Sequence, residues 1–259
     1  MKIAVIGTGV MGSGLARVLA KNNEIILFNR TSDKAKALAK EINGQVATSL
    51  EDAIESADLI LLTVKPKDLK NVSNHLKGKI GPDQVIVSAL SATPRDVLVA
   101  HLGTNHVLRM MPNTPCFYGA GVVVLGESKS ISKDQCVRFE ELFSVLGKVH
   151  WVKESLFNAA TALAGSGPAF IFVILESLVD AGVNMGLPLQ KAKEMAIQVI
   201  FGAMTSVEQS GKHPGELKWE VTSPGGCTIA GLTCMEDEAV RSGLINTLLT
   251  TYDHLCSCQ

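Results

Sequence analysis

The sequence predicts a doubly wound, mostly parallel α/β domain over residues 1–152, followed by an all-helical domain over residues 153–259. Three observations predict it. Short apolar runs without polar alternation recur through the first part of the chain, helix-start signals separate them, and the strand signal stops after Trp151. A chain of 259 residues suits about two domains. Its 46% hydrophobic content, against 19% charge, is enough for a packed core and argues against disorder.

In order, the runs Ile3–Ile6, Ile25–Phe28, Leu59–Val64, Val85–Ser88, Val107–Met110 and Gly121–Leu125 read as strands buried on both faces of a sheet. Ser49 stands three residues before Asp52 in a capping-box-like spacing, and Thr93 precedes Pro94 as a cap before proline at the first helical position. Beyond Trp151, Glu154 to Ala164 reads as one helix closed by Gly165-Ser166-Gly167. Pro168 then starts a second helix, apolar on every side from Phe170 to Leu175, which has to be enclosed. Gly186-Leu187-Pro188 starts a third helix running to about Gly211, His213-Pro214-Gly215 turns the chain, and Thr222 to Gly226 makes a glycine-bearing turn. The rest is helical to Leu255. Pairing of two copies through these helices is the simplest way to bury the apolar one, so a homodimer is expected.

Charge and cysteine content narrow the function. Lys and Arg number 24 against 25 Asp and Glu, with no block of like charge, which argues against a nucleic-acid clamp or an anionic-membrane binder. The longest unbroken apolar run, Ala169–Leu175, ends at Glu176, short of the roughly 20 residues a membrane span needs. Ile3–Ile6 is too short for a secretory leader. Six cysteines (Cys116, Cys136, Cys227, Cys234, Cys256, Cys258) show no CxxC pair and no histidines at finger spacing, so no metal site is assigned. Cys256 and Cys258 read as two free thiols on a frayed tail, with a labile disulfide as the alternative. The expectation is a soluble, cytoplasmic protein acting on a small molecule.

Gly7-Thr8-Gly9-Val10-Met11-Gly12 follows the first strand directly and opens a helix, the context that a GxGxxG element needs to bind a dinucleotide in a Rossmann-type domain. The first Gly makes the turn, the second admits the diphosphate, and the third lets helix and strand touch; the phosphates meet unpaired N–H groups. A glycine-rich turn without a ligand is the alternative. Where the second strand ends, an NAD enzyme carries a carboxylate for the ribose; this chain has Asn29-Arg30-Thr31-Ser32. With Arg30 and hydroxyls to receive a phosphate, NADPH is expected over NADH, unless Arg30 is only a solvated surface residue. Val64-Lys65-Pro66 closes the strand beginning at Leu59, on the carboxyl side where ligands bind, and Met111-Pro112-Asn113-Thr114-Pro115 forms a stiff loop in the corresponding place after Val107–Met110. Lys65 is either a phosphate or ribose contact or surface charge.

Ser223-Pro224-Gly225-Gly226-Cys227-Thr228 has similar physics: backbone N–H groups exposed by glycines ahead of a helix that begins at about Cys227 or Thr228, with hydroxyls at Ser223 and Thr228. It suits a carboxylate, and it equally suits an ordinary Pro-Gly turn with a Thr N-cap. Residues 154–190 contain no Lys and no His, and the six histidines show no pairing. Alcohol oxidation needs a base, whereas reduction of a protonated C=N bond needs only hydride and an oriented electrophile, so imine reduction fits better.

These residues resemble the pyrroline-5-carboxylate reductase family. The matches are Gly7–Gly12 with Met11, Val64-Lys65-Pro66, Met111–Pro115, Ala162–Ala169 with its GSGPA, Asp180-Ala181-Gly182 and Val221–Thr228, in family order along nearly the whole chain. The resemblance implies hydride transfer from NADPH to the ring C=N carbon of pyrroline-5-carboxylate, giving L-proline. It implies that Ser223 and the amides of Gly225, Gly226, Cys227 and Thr228 hold the carboxylate, that the Thr228 hydroxyl lies near the ring nitrogen, and that Asn113 and Lys65 lie on the cofactor side. It also implies an interleaved homodimer, often built into larger rings. Ala89-Leu90-Ser91 departs from the family's Ala-Ala-Gly, Cys227 from its Ala or Thr, and Asp237-Glu238 from its Gly-Gly; Leu90 is expected to reshape the nicotinamide side. A β-hydroxyacid dehydrogenase shares the first loop but places a catalytic lysine near residues 165–175, where this chain has none. A non-enzymatic NADPH-binding regulator is the other rival, and it has no use for Ser223 and Thr228 beside the turn.

Overall fold

The computed structural model describes residues 1–258. It divides into two compact units, Met1–Pro168 together with the chain from Thr251, and Ala169–Thr250. The compact units part inside the long helix, whose first turns belong with the sheet, where Phe157, Thr161 and Ala162 are buried.

The first unit is an eight-stranded sheet. Its strands are β1 (Lys2–Ile6), β2 (Glu24–Phe28), β3 (Gln45–Val46), β4 (Leu59–Leu62), β5 (Val85–Ser88), β6 (Val107–Pro112), β7 (Gly121–Gly126) and β8 (Gly147–Val152). Their order is β3-β2-β1-β4-β5-β6-β7-β8, with every neighbouring pair parallel except β6 and β7. The six expected strands are all present; β3 and β8 are additional. Helices α1 (Val10–Leu19), α2 (Ser32–Ile42), α3 (Leu50–Glu55), α4 (Leu69–Leu76), α5 (Arg95–Leu102) and α6 (Lys133–Ser144) connect them. Period-2 geometry sends Ile3 and Val5 of β1 into one core with Leu15, Leu38 and Phe143, and Ala4 and Ile6 into a second with Ile54, Leu76 and Leu98. Both faces are therefore dry, which is why the strands carry no polar alternation.

Three local expectations are corrected. The Ser49 hydroxyl does cap α3, accepting from the Asp52 N–H at 3.0 Å. Pro94, however, is the N-cap of α5 rather than its first helical residue, and Thr93 turns its hydroxyl back to the Ser91 carbonyl. Glu154 supplies the cap from a distance, its carboxylate accepting the Arg95 N–H at 3.2 Å. The same oxygen accepts from the buried Arg109 guanidinium at 2.6 Å, which also lies 3.9 Å over the Phe157 ring.

The second correction concerns Gly165-Ser166-Gly167, which does not end a helix. Residues 154–184 are one helical stretch: a 3-10 turn, α7 (Phe157–Ala160), a π-turn at Thr161–Gly165, and α8 (Ser166–Asn184). By length and mean hydropathy of 1.8 it matches a membrane span. Helices α9 (Leu189–Ser210), α10 (Pro214–Glu220), α11 (Cys227–Asp237) and α12 (Val240–Ser257) follow. Ala239, in the left-handed conformation at φ 54°, separates the last two, and the chain to Leu255 is helical as expected. Cys256 lies inside α12 rather than on a frayed tail, and none of the six cysteines is in a disulfide. Inside the helical unit only Val179, Ala192 and Ala196 form a buried cluster; Phe172, Val173, Val199, Phe201 and Met204 are exposed.

Candidate active site

The crossover from β1 to β4 puts a crevice at the carboxyl ends of both strands, the switch point of a doubly wound sheet. Gly7 ends β1 at φ +102° and donates its N–H to the Phe28 carbonyl at 2.8 Å. A Cβ on Gly12 would sit 2.0 Å from the Gly7 carbonyl oxygen and 2.4 Å from the Thr63 hydroxyl, so helix and strand meet there through bare backbone. A Cβ on Gly9 would meet nothing within 4 Å. Helix α1 opens at Gly9 with no side-chain cap and no acid in its first turn, which leaves its leading N–H groups to a ligand. Thr8 is buried, and its hydroxyl is without a partner among the described residues.

Asn29 ties this loop to the end of β2. Its side-chain oxygen accepts the Thr8 N–H at 3.1 Å, and its amide donates to the Thr31 carbonyl at 3.0 Å. Arg30 is 89% exposed and faces Asp68 only loosely at 3.9 Å, so its guanidinium can be recruited. A cleft of about 630 Å³ joins Gly7, Thr8, Gly9, Asn29, Arg30 and Thr31 with Val64 and Lys65. Lys34 and Lys67, which sequence reasoning missed, also line it. Lys34 lies in the first turn of α2, just after the Arg30-Thr31 segment that follows β2. In the same cleft, the partly exposed Glu51 is held at a pKa of about 2, chiefly by the Lys79 ammonium, with its own backbone N–H and His75 adding to it. An orphaned hydroxyl, an uncapped helix start and several cations fit a phosphate-bearing dinucleotide.

The structure places the remaining cofactor candidates differently. Val10 and Met11 continue into α1 above Gly12, and Pro66 begins an exposed 3-10 turn at Pro66–Asp68. Met111, Pro112 and Asn113 are buried at the end of β6. Leu90 packs into the second core, 2% exposed, and is not among the residues lining this cleft. A wider groove of about 1100 Å³ involves Met1, Leu19, Ile54, Gln84, Arg138 and Leu142. It lies at the amino ends of the strands, away from the switch point, and has no part in this chemistry.

In the helical unit the 223–228 turn repeats the local design of the first loop. Gly226 donates to the Ser223 carbonyl at 3.1 Å, Gly225 is at φ +66°, and a Cβ on Gly226 would strike the Ser223 hydroxyl at 2.4 Å. Gly226 is the N-cap of α11 at φ −80° and ψ 175°, close to Gly9 at φ −72° and ψ −170°. Neither helix has a side-chain cap or an acid in its first turn. Ser223, Gly225, Cys227 and Thr228 are all exposed in the single chain, and α11 begins at Cys227, as expected.

A switch-point crevice that leaves a helix start uncapped among cations serves dinucleotides. Followed by a helical unit, it marks the class of two-unit nicotinamide-dependent oxidoreductases. Residues 154–256 match the family model for pyrroline-5-carboxylate reductase dimerisation, and residues 2–92 match that for NADP oxidoreductase, coenzyme F420-dependent. The pyrroline-5-carboxylate reductase of Arabidopsis thaliana is 34% identical over 253 residues, covering 96% of this chain and 92% of the relative. The crystal structure of 1-pyrroline-5-carboxylate reductase from Streptococcus pyogenes superposes with a TM-score of 0.92 at 29% identity, covering 99% of this chain and 98% of that one. That of Plasmodium falciparum pyrroline carboxylate reductase with NADP bound gives a TM-score of 0.91 at 26% identity, covering 100% and 98%. The chain belongs to the pyrroline-5-carboxylate reductase family.

Proposed function

We propose that the chain reduces 1-pyrroline-5-carboxylate to L-proline with NADPH as the preferred reductant. The observation that carries the reading is the pair of matched helix starts at Gly9 and Gly226, each uncapped and free of acids, one suited to a diphosphate and the other to a carboxylate. NADPH, when bound, supplies the hydride. Gly7, Thr8, Gly9 and the first turn of α1 would hold its diphosphate, with Arg30 and Thr31 beside the adenine ribose and Lys34 and Lys67 adding positive charge. Ser223 and the N–H groups from Gly225 to Thr228 would hold the substrate carboxylate, and the Thr228 hydroxyl would orient the ring nitrogen by a hydrogen bond. No general base is required, because the electrophile arrives protonated.

The exposed apolar side chains of α8 and α9 support a homodimer, and they account for a span-like helix by a second copy of the chain rather than by lipid. Six free thiols suit the reducing cytoplasm. The test is the loss of NADPH absorbance with pyrroline-5-carboxylate, compared with an open-chain oxo acid. Turnover of the cyclic imine alone is expected; turnover of the oxo acid alone would favour a hydroxyacid dehydrogenase.

A further inference from the structure

Pro168 has no N–H, so the carbonyl of Ala164, four residues back in the helix, is deprived of its ordinary partner. That carbonyl is nonetheless bonded. The side-chain amide of Asn113, fifty-one residues earlier in sequence, donates to it at 2.9 Å. The same side chain accepts from the Val122 N–H at 3.0 Å and from the Cys116 thiol at 3.6 Å, so both ends of the amide are committed inside the protein. Asn113 is only 6% exposed. The π-turn at Thr161–Gly165 lies directly ahead of the proline, and its first residue, Thr161, donates its hydroxyl to the Phe157 carbonyl at 2.7 Å. Met111, two residues before Asn113, packs beside Gly165 and forms an apolar cluster with Val124 and Phe157.

We propose that Asn113 is a positioning residue that fixes the Met111–Pro115 loop to the π-turn by standing in for the hydrogen bond Pro168 cannot make. The inference rests on the reading above, in which this loop lies on the cofactor side. It changes the role of Asn113: its amide is turned inward, and it acts on hydride transfer through the backbone of its loop rather than by touching cofactor. A loop displaced by about 1 Å from its working position costs on the order of a hundredfold in the chemical step while leaving remote cofactor contacts intact.

The test is a cycle of Asn113→Asp, Pro168→Ala and the double variant. Asn113→Asp keeps an acceptor for Val122 and loses the donor to Ala164. Its kcat is expected to fall roughly tenfold to a hundredfold, with the NADPH dissociation constant, read by cofactor fluorescence, within about twofold of wild type. Its kcat should recover as pH falls, because the protonated carboxyl can donate again. Pro168→Ala restores an N–H at 168 that can serve the Ala164 carbonyl but does not tether the loop, so the double variant is expected to regain most of the lost melting temperature while its kcat stays near that of Asn113→Asp. Should Asn113→Asp alone fail to fold, the double variant is expected to fold. NADPH affinity falling in step with kcat would overturn the proposal by making Asn113 a direct cofactor contact. A double variant no more stable than Asn113→Asp, or one whose kcat returns to the wild-type value, would overturn it as well. If the wild-type chain does not reduce the cyclic imine, the functional reading fails while the melting cycle still decides whether Asn113 compensates for Pro168.

Discussion

Gly9 and Gly12 sit three residues apart in one loop, and the structure predicts opposite consequences for the same substitution. In Gly12→Ala the new methyl would lie 2.0 Å from the Gly7 oxygen and 2.4 Å from the Thr63 hydroxyl, and that hydroxyl is itself bonded to the Gly7 oxygen at 2.6 Å. Backbone cannot rotate away as a flexible side chain can, so α1 has to withdraw from β1 by about 1 Å to restore contact distance. Overpacking of this kind costs about 1–3 kcal/mol of stability. In Gly9→Ala the methyl meets no protein atom within 4 Å, and φ of −72° suits any residue, so stability should stay within about 0.5 kcal/mol of wild type. The open space beside Gly9 is where the diphosphate is argued to lie. The methyl should therefore weaken NADPH by roughly tenfold to a hundredfold, equivalent to about 1.4–2.7 kcal/mol. Urea melts and fluorescence titration of NADPH separate the two effects. A Gly9→Ala protein that binds NADPH as tightly as wild type would refute the assignment of the first loop.

Other outcomes follow from the same geometry. Arg30→Ala should leave stability unchanged, since its ion pair is long and exposed, but weaken NADPH by about tenfold or more while sparing NADH; equal losses would mean that Arg30 does not read the 2′-phosphate. Glu154→Ala removes the partner of an Arg109 that is 3% exposed and the cap of α5. A loss of about 2–4 kcal/mol in urea melts is expected, and a loss below about 1 would show the pair to be dispensable. Glu51 titrates at about 2 in the folded chain against an ordinary 4.5, so the stability it contributes is complete above the ordinary value and is lost as pH falls through the folded one. Acid melts of Glu51→Gln should lack that part of the pH dependence, and identical acid profiles would contradict the assignment. Thr228→Ala should lower kcat/KM by on the order of tenfold to a thousandfold, for loss of a hydrogen bond to the reacting ring, and an unchanged value would remove Thr228 from the mechanism.

The parts of the molecule that are legible in sequence are those in which backbone sterics leave one choice. Gly7 and Gly12 announce a strand–helix contact because no side chain fits, and Ser49 announces α3 because its bond to Asp52 is local. Long-range contacts hide the rest. Glu154 caps α5 from across the sheet, which displaces the expected role of Thr93 and Pro94. Gly165-Ser166-Gly167 reads as a helix stop; the helix runs through it, and the Ala164 carbonyl that Pro168 leaves bare is met by Asn113, a partner far away in sequence. Strand β8 escaped because its burial alternates weakly at the sheet edge, and β3 because two residues carry no period. In the cleft, Arg30 stands out by position after β2, whereas Lys67 reaches the same space only through the fold.

Isotope transfer follows the hydride atom by atom. With NADPH carrying deuterium at the transferable position and pyrroline-5-carboxylate as acceptor, proline labelled once is expected, at the ring carbon that was double-bonded to nitrogen. Unlabelled proline, or label at any other carbon, would contradict direct hydride transfer to the cyclic imine.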